Sequence, residues 1–253
     1  MSVGYNNFDI VEMRKRNILG THTPHVLDNS VADLVFGLML STARRIPELD
    51  QYVKQGSWKG GDDSNLFGID VHGSTLGIIG MGRIGKVVAR RAKAGFNMNV
   101  VYHNRNQNPQ IENELGIAYR ELEDLLSESD FVLLLVPLNE NTKEFIRLEH
   151  FKLMKKTAIF INTSRGQTVN EKALIQALND KEILAAGLDV FYEEPPASTN
   201  PLLEMPNVVS LPHIGTATSK TRADIAMLAA KNLVSVLEEG YSENIVKELK
   251  PNR

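Results

Sequence analysis

An α/β fold with a doubly wound parallel sheet is what this sequence predicts, and two observations predict it. Short apolar or β-branched runs recur at Thr75–Ile79, Val100–Tyr102, Phe131–Val136, Ala158–Ile161, Leu188–Phe191 and Val208–Leu211. Several are apolar at nearly every position, as strands covered on both faces require. Helical patterns separate many of them, at Arg83–Ala94, Leu122–Ser127 and Asn170–Leu178. Strand and helix in alternation give a parallel sheet with helices on each side.

Ahead of the first run, Asp28 or Ser30 is placed to cap a helix running through Leu40 to Arg45. Gly56–Gly68 is rich in Gly, Asp, Ser and Asn and reads as a surface loop, and it holds the single tryptophan, Trp58. That ring either packs on its own domain or inserts into a partner subunit. After the last run, Thr218–Leu237 reads as a closing amphipathic helix with Gly240 as its stop.

Composition excludes several functions. Among 253 residues, 28 Lys+Arg against 31 Asp+Glu leave a net charge of −3, unlike a binder of nucleic acid that works by phosphate attraction. No cysteine occurs, which removes disulfides, thiol catalysis and thiolate metal sites. The longest apolar run, Phe131–Leu138, is far below the roughly 18 residues of a membrane span. Met1–Arg16 has no apolar signal core, so a soluble cytoplasmic protein is expected. His22-Thr23-Pro24-His25 has a metal-like spacing without further ligands, and no metal is expected.

Gly80-Met81-Gly82-Arg83-Ile84-Gly85 follows the strand Leu76–Ile79 and opens a helix. In that setting Gly80 takes the tight turn, Gly82 leaves room for a pyrophosphate and Gly85 lets helix and strand pack closely. The helix start at Arg83 and Ile84 offers backbone N–H groups to the phosphate. A dinucleotide site is expected. The second strand ends in His103-Asn104-Arg105, and no carboxylate follows until Glu112. Arg105 is suited to pair a 2′-phosphate, with Asn104 donating a hydrogen bond, so NADP(H) is favoured and NAD(H) is the alternative.

Three more strand ends carry chemistry. Asn162-Thr163-Ser164-Arg165-Gly166, Asp189-Val190-Phe191 continuing to Glu194-Pro195, and Pro212-His213-Ile214-Gly215 bring an arginine, a glutamate and a histidine to one rim. With the glycine motif, these stretches resemble, in order and over essentially the whole chain, the D-isomer-specific 2-hydroxyacid dehydrogenase family. Tyr102-His103-Asn104-Arg105 is most similar to its glyoxylate/hydroxypyruvate reductase branch, with 2-ketogluconate reductases as neighbours. The resemblance implies a Rossmann dinucleotide-binding domain and a hydride transfer between NADP(H) and a small 2-oxo or 2-hydroxy acid. Arg165 would clamp the substrate carboxylate, His213 would be the general acid and Glu194 would hold its imidazole. Asp189 would bind the nicotinamide carboxamide, and Pro137, Thr142, Thr163 and Gly215 would also line the cofactor. Val3 and Gly4 would touch substrate.

The resemblance also divides the chain. Residues 26–215 would form the dinucleotide-binding domain, while 1–25 and 216–253 would belong to a second, flavodoxin-like substrate lobe that is incomplete here. Those pieces are too few for a parallel α/β core, so a truncated protein is expected. A homodimer is expected from the likeness and from the Trp58 loop. Two other readings stay open: a catalytically impaired dinucleotide-binding remnant, and an NAD(P)-sensing interaction protein.

Overall fold

The computed structural model describes residues 3–61 and 63–250, without the side chain of Asp63. The chain divides into two compact units, residues 32–215 and residues 1–31 with 216–253.

The larger unit is built on seven parallel strands: β1 (Thr75–Ile79), β2 (Asn99–His103), β3 (Ala118–Tyr119), β4 (Phe131–Leu134), β5 (Ile159–Asn162), β6 (Ala185–Leu188) and β7 (Val208–Ser210). Their spatial order is β3-β2-β1-β4-β5-β6-β7, so the winding reverses between β1 and β4. The crevice at the carboxyl ends beside that reversal is where such sheets bind ligands.

Alternate side chains of each strand feed two cores. Leu76, Ile78, Phe131, Leu133, Ile159 and Ile161 pack with Val35, Leu38 and Met39 of α2 (Asp28–Ala43) and Val88, Ala89 and Ala92 of α4 (Arg83–Phe96). Ile79, Val132, Leu134 and Phe160 face the other way, onto Leu125 and Leu126 of α6 (Leu122–Glu128), Phe151 of α7 (Leu148–Leu153) and Leu174 and Ala177 of α8 (Glu171–Asn179). Burial on both sides explains the unbroken apolar runs.

Some expected bounds move. The helix expected through Arg45 ends at Ala43; Arg45 turns into the left-handed region at φ 54° and opens α3 (Ile46–Lys54). Its guanidinium bonds Glu48 at 2.8 Å and the Asn65 carbonyl at 2.8 Å, tying the following loop to α3. That loop contains a 3₁₀ turn at Asp63–Leu66, and Trp58 lies 65% exposed, so it does not pack on its own domain. The run expected as strand at Leu188–Phe191 is displaced: β6 is Ala185–Leu188, and Asp189–Phe191 lie beyond its end. Gly187 of β6 has no room for a side chain because α2 crosses it closely: a Cβ there would stand 2.9 Å from Thr42 Oγ1. Short α5 (Pro109–Leu115), β3 and α7 have no counterpart among the predicted elements.

In the smaller unit, α1 (Ile10–Lys15) and α9 (Ser219–Glu239) accompany a small apolar cluster of Ile245, Val246 and Leu249 with Tyr5, Phe8, Met13 and Leu19. Its described residues form no named strand, only a bridge between Thr21 and Ile245. Gly240 ends α9 at φ 67°. Among the described residues no helix is long and apolar enough to cross a membrane.

Candidate active site

The glycine turn is shaped for a phosphate. Gly80 has φ 105°, a region other residues rarely adopt, and a Cβ there would strike the Leu135 backbone at 2.8 Å. A Cβ on Gly85 would stand 3.0 Å from the Gly80 carbonyl oxygen, which is how close α4 comes to the turn. Gly82 is the opposite case: nothing lies within 4 Å of its Cβ position. It also caps α4 without any side-chain hydrogen bond, so no side chain of the cap stands in front of the first helical turn at Arg83 and Ile84. These residues fit a dinucleotide pyrophosphate.

The loop after β2 is arranged differently from its sequence reading. Arg105 is exposed. His103 Nδ1 lies 3.0 Å from the Arg120 carbonyl and so carries the proton. Asn104, expected to donate to a 2′-phosphate, instead turns its amide back on the glycine turn. Its Oδ1 accepts the Met81 N–H at 2.7 Å, and its Nδ2 reaches the Met81 carbonyl at 3.4 Å. Glu112, the nearest carboxylate in sequence, is engaged by the Tyr102 hydroxyl at 2.8 Å and by Gln107 Nε2 at 3.1 Å.

Beyond β4, Thr142 Oγ1 donates to the Pro137 carbonyl at 2.6 Å and accepts the Asn139 N–H at 2.8 Å, closing its own loop. Thr163, after β5, has a buried hydroxyl with no hydrogen-bond partner among the described residues. A buried polar atom of that kind suits a bound ligand or water.

Arg165 follows in the same turn, and its backbone is held by residues that the sequence did not single out. Its carbonyl accepts from Thr168 Oγ1 at 2.6 Å and from Asn162 Nδ2 at 3.2 Å, while Asn162 Oδ1 accepts both the N–H and the hydroxyl of Ser164. Asn162, Ser164 and Thr168 are buried. The signal lay in the polar run directly after an apolar strand. Half-buried Arg165 donates to the Ser164 carbonyl at 2.6 Å, and burial lowers its pKa against the attraction of Glu194.

Glu194 and His213 meet directly. Glu194 Oε2 is 2.7 Å from His213 Nδ1, and Oε1 accepts the Phe191 N–H at 3.1 Å. His213 sits at φ 53°, an uncommon conformation for a non-glycine residue, and its neighbours hold it there. Asp189, 2% exposed at the end of β6, accepts the Ile214 N–H at 2.7 Å and the Gly215 N–H at 2.9 Å. Burial raises the Asp189 pKa, and those two bonds and His213 oppose the rise. Both oxygens of Asp189 thus shape the histidine turn. Arg165, Glu194 and His213 therefore share one rim of the larger unit, and Val3 and Gly4 belong to the smaller one. A separate cavity of about 320 Å³ opens at the amino ends of β6 and β7, lined by Thr42, Phe67, Ile69, Leu184 and Val208. It contains none of the three rim residues.

Known proteins are similar to this chain in sequence and fold. Glyoxylate/hydroxypyruvate reductase B of Enterobacter sp. (strain 638) is 50% identical over 246 residues, which are 97% of this chain and 76% of that protein. A glyoxylate reductase crystal structure from Paecilomyes thermophila superposes with a TM-score of 0.90 at 37% identity, over 98% of this chain and 74% of that one. An NADPH-dependent glyoxylate/hydroxypyruvate reductase from Sinorhizobium meliloti, solved with NADP and malonate, gives 0.89 at 33% identity, over 100% and 77%. The family model described as the NAD binding domain of D-isomer specific 2-hydroxyacid dehydrogenases matches residues 36–215. A nucleotide-shaped glycine turn, a Glu–His pair beside an arginine, and these likenesses converge: the chain belongs to the D-isomer-specific 2-hydroxyacid dehydrogenase family of oxidoreductases.

Proposed function

We propose that this chain transfers a hydride between NADP(H) and a small 2-oxo or 2-hydroxy acid, with glyoxylate and hydroxypyruvate as first candidates and 2-ketogluconate next. The observation that carries the reading is the 2.7 Å contact of Glu194 with His213 on the rim that also holds Arg165. Arg165 presents a planar, permanently charged fork that grips a carboxylate through two parallel bonds. Glu194 accepts the Nδ1 proton and orients the ring, which leaves Nε2 to exchange a proton with the substrate. In reduction His213 gives that proton to the ketone oxygen, and in oxidation it recovers it from the hydroxyl. When bound, a reduced nicotinamide supplies the hydride. Gly80, Gly82 and the first turn of α4 would hold its pyrophosphate. Exposed Arg105, with Glu112 tied to Tyr102 and Gln107, supports NADP(H) over NAD(H). The exposed Trp58 loop supports self-association as a homodimer.

Turnover of NADPH with glyoxylate and hydroxypyruvate tests the reading. His213→Ala is expected to lower kcat by about 10²–10⁴-fold. Arg165→Ala is expected to abolish measurable turnover at ordinary substrate concentrations, and Arg165→Lys to restore little. Full activity in Arg165→Ala would remove the carboxylate clamp.

A further inference from the structure

The two loops that would meet the pyrophosphate and the neighbouring adenosine ribose of a dinucleotide are bonded to one another before any ligand arrives. The Gly80 N–H donates to the His103 carbonyl at 3.0 Å. One residue further on, the Met81 N–H donates to Asn104 Oδ1 at 2.7 Å, and Asn104 Nδ2 returns to the Met81 carbonyl at 3.4 Å. The amide side chain therefore lies alongside the Met81 backbone, touching both peptide groups that flank it. The short contact from an N–H donor fixes which of its atoms is the oxygen. The loop is anchored at its other end as well: the Asn108 N–H donates to the Tyr102 hydroxyl at 2.8 Å, which donates in turn to Glu112.

We propose that Asn104 is a positioning residue that locks the glycine turn to the ribose-side loop, so that it supports both dinucleotides equally, and that Arg105 alone of this pair reads a 2′-phosphate. The proposal rests on the NADP(H)-binding role given above. Its physical basis is that both polar atoms of the Asn104 amide face the Met81 backbone, whereas Arg105 stands exposed. Holding Met81 fixes the two peptide groups between Gly80, at φ 105°, and Gly82, whose open Cβ side is where a phosphate would pass. A preformed turn spares the ligand the cost of ordering it. Asparagine suits the place chemically: a carboxylate would also accept the Met81 N–H, but it would repel the Met81 carbonyl and a nearby phosphate.

Two measurements on the full chain test this. Hydrogen exchange in the segment 79–84, without cofactor, is expected to quicken roughly tenfold in Asn104→Ala, the loss of about one hydrogen bond. Asn104→Asp, which keeps the acceptor, should stay slow. In calorimetric titrations Asn104→Ala should raise the Kd values for NADPH and NADH by the same factor, whereas Arg105→Ala should raise only that for NADPH. Unchanged exchange in Asn104→Ala overturns the lock. Weaker binding of NADPH alone in Asn104→Ala overturns the division of roles. If the unsubstituted chain binds neither dinucleotide, the functional reading fails, and the exchange experiment still decides whether Asn104 holds the turn.

Discussion

His213 and His150 illustrate how the fold sets the behaviour of single side chains through neighbouring backbone groups. His213 is kept at a positive φ because a buried carboxylate, Asp189, gathers the two N–H groups that follow it. Strain of this sort survives only where surrounding contacts over-determine it. His150, in the first turn of α7, accepts the Arg147 N–H on Nδ1 at 3.0 Å, and burial lowers its pKa below the ordinary histidine value. The sign of the pH effect follows. The unfolded chain protonates His150 near pH 6.5, while the folded chain resists until a lower pH. The stability tied to neutral His150 is thus complete above about pH 6.5 and is lost as pH falls through that value toward the folded pKa. His150→Gln retains an acceptor for the helix start and has no proton to gain. Urea midpoints measured from pH 7 to pH 5 should fall less steeply in His150→Gln than in the unsubstituted protein, with similar values at pH 7. Equal slopes would show that this ring does not contribute.

The elements legible in the sequence were those with strong, local chemistry. The sequence places β1 and the start of α4 at their observed residues because an unbroken apolar run meets a glycine turn. The sequence places β6 too late because Ala185, Ala186 and Gly187 carry no β-branched signal, and at Gly187 it is the close passage of α2 that leaves no room for a side chain. The site shows the same division. Arg165, Glu194 and His213 stood out as polar residues at strand ends, while the buried Asn162–Ser164–Thr168 support and the inward turn of Asn104 depend on folded geometry. Glycine positions sharpen the contrast between pattern and packing. At Gly166 a Cβ would lie 1.8 Å from the Phe191 carbonyl oxygen, and that backbone leads directly to Glu194. Gly95, near the end of α4, has nothing within 4 Å of its Cβ position. Gly166→Ala is therefore expected to cost at least about 1–3 kcal/mol, the usual penalty of overpacking, and to depress turnover. Gly95→Ala should add about 0.4–1 kcal/mol. Urea unfolding with an unchanged m-value checks both, and a neutral Gly166→Ala would mean that the 191–194 backbone yields freely.

At the scale of the whole molecule, charge and apolar surface decide how copies of the chain behave together. A net charge of −3 over 253 residues provides only weak mutual repulsion. Within the larger unit, Trp58 at 65% and Phe67 at 71% exposure accompany Ile46 and Val53 of α3, themselves about half exposed. Large aromatic side chains displayed on a loop that Arg45 holds in place are the kind of anchor that buries well against a second surface. The smaller unit displays another apolar face, on α9, at Met227, Leu233, Val234 and Leu237. The two faces can be told apart because the sequence contains a single tryptophan. If the homodimer forms through the loop, Trp58 emission should shift to the blue as concentration rises through the dimer Kd, in step with the mass measured by sedimentation. Trp58→Ala and Phe67→Ser should then weaken the dimer, whereas Met227→Lys with Leu237→Lys should leave the emission shift intact. A dimer whose tryptophan emission stays that of a solvated indole, and which the two α9 substitutions disrupt, would transfer the contact from the loop to α9.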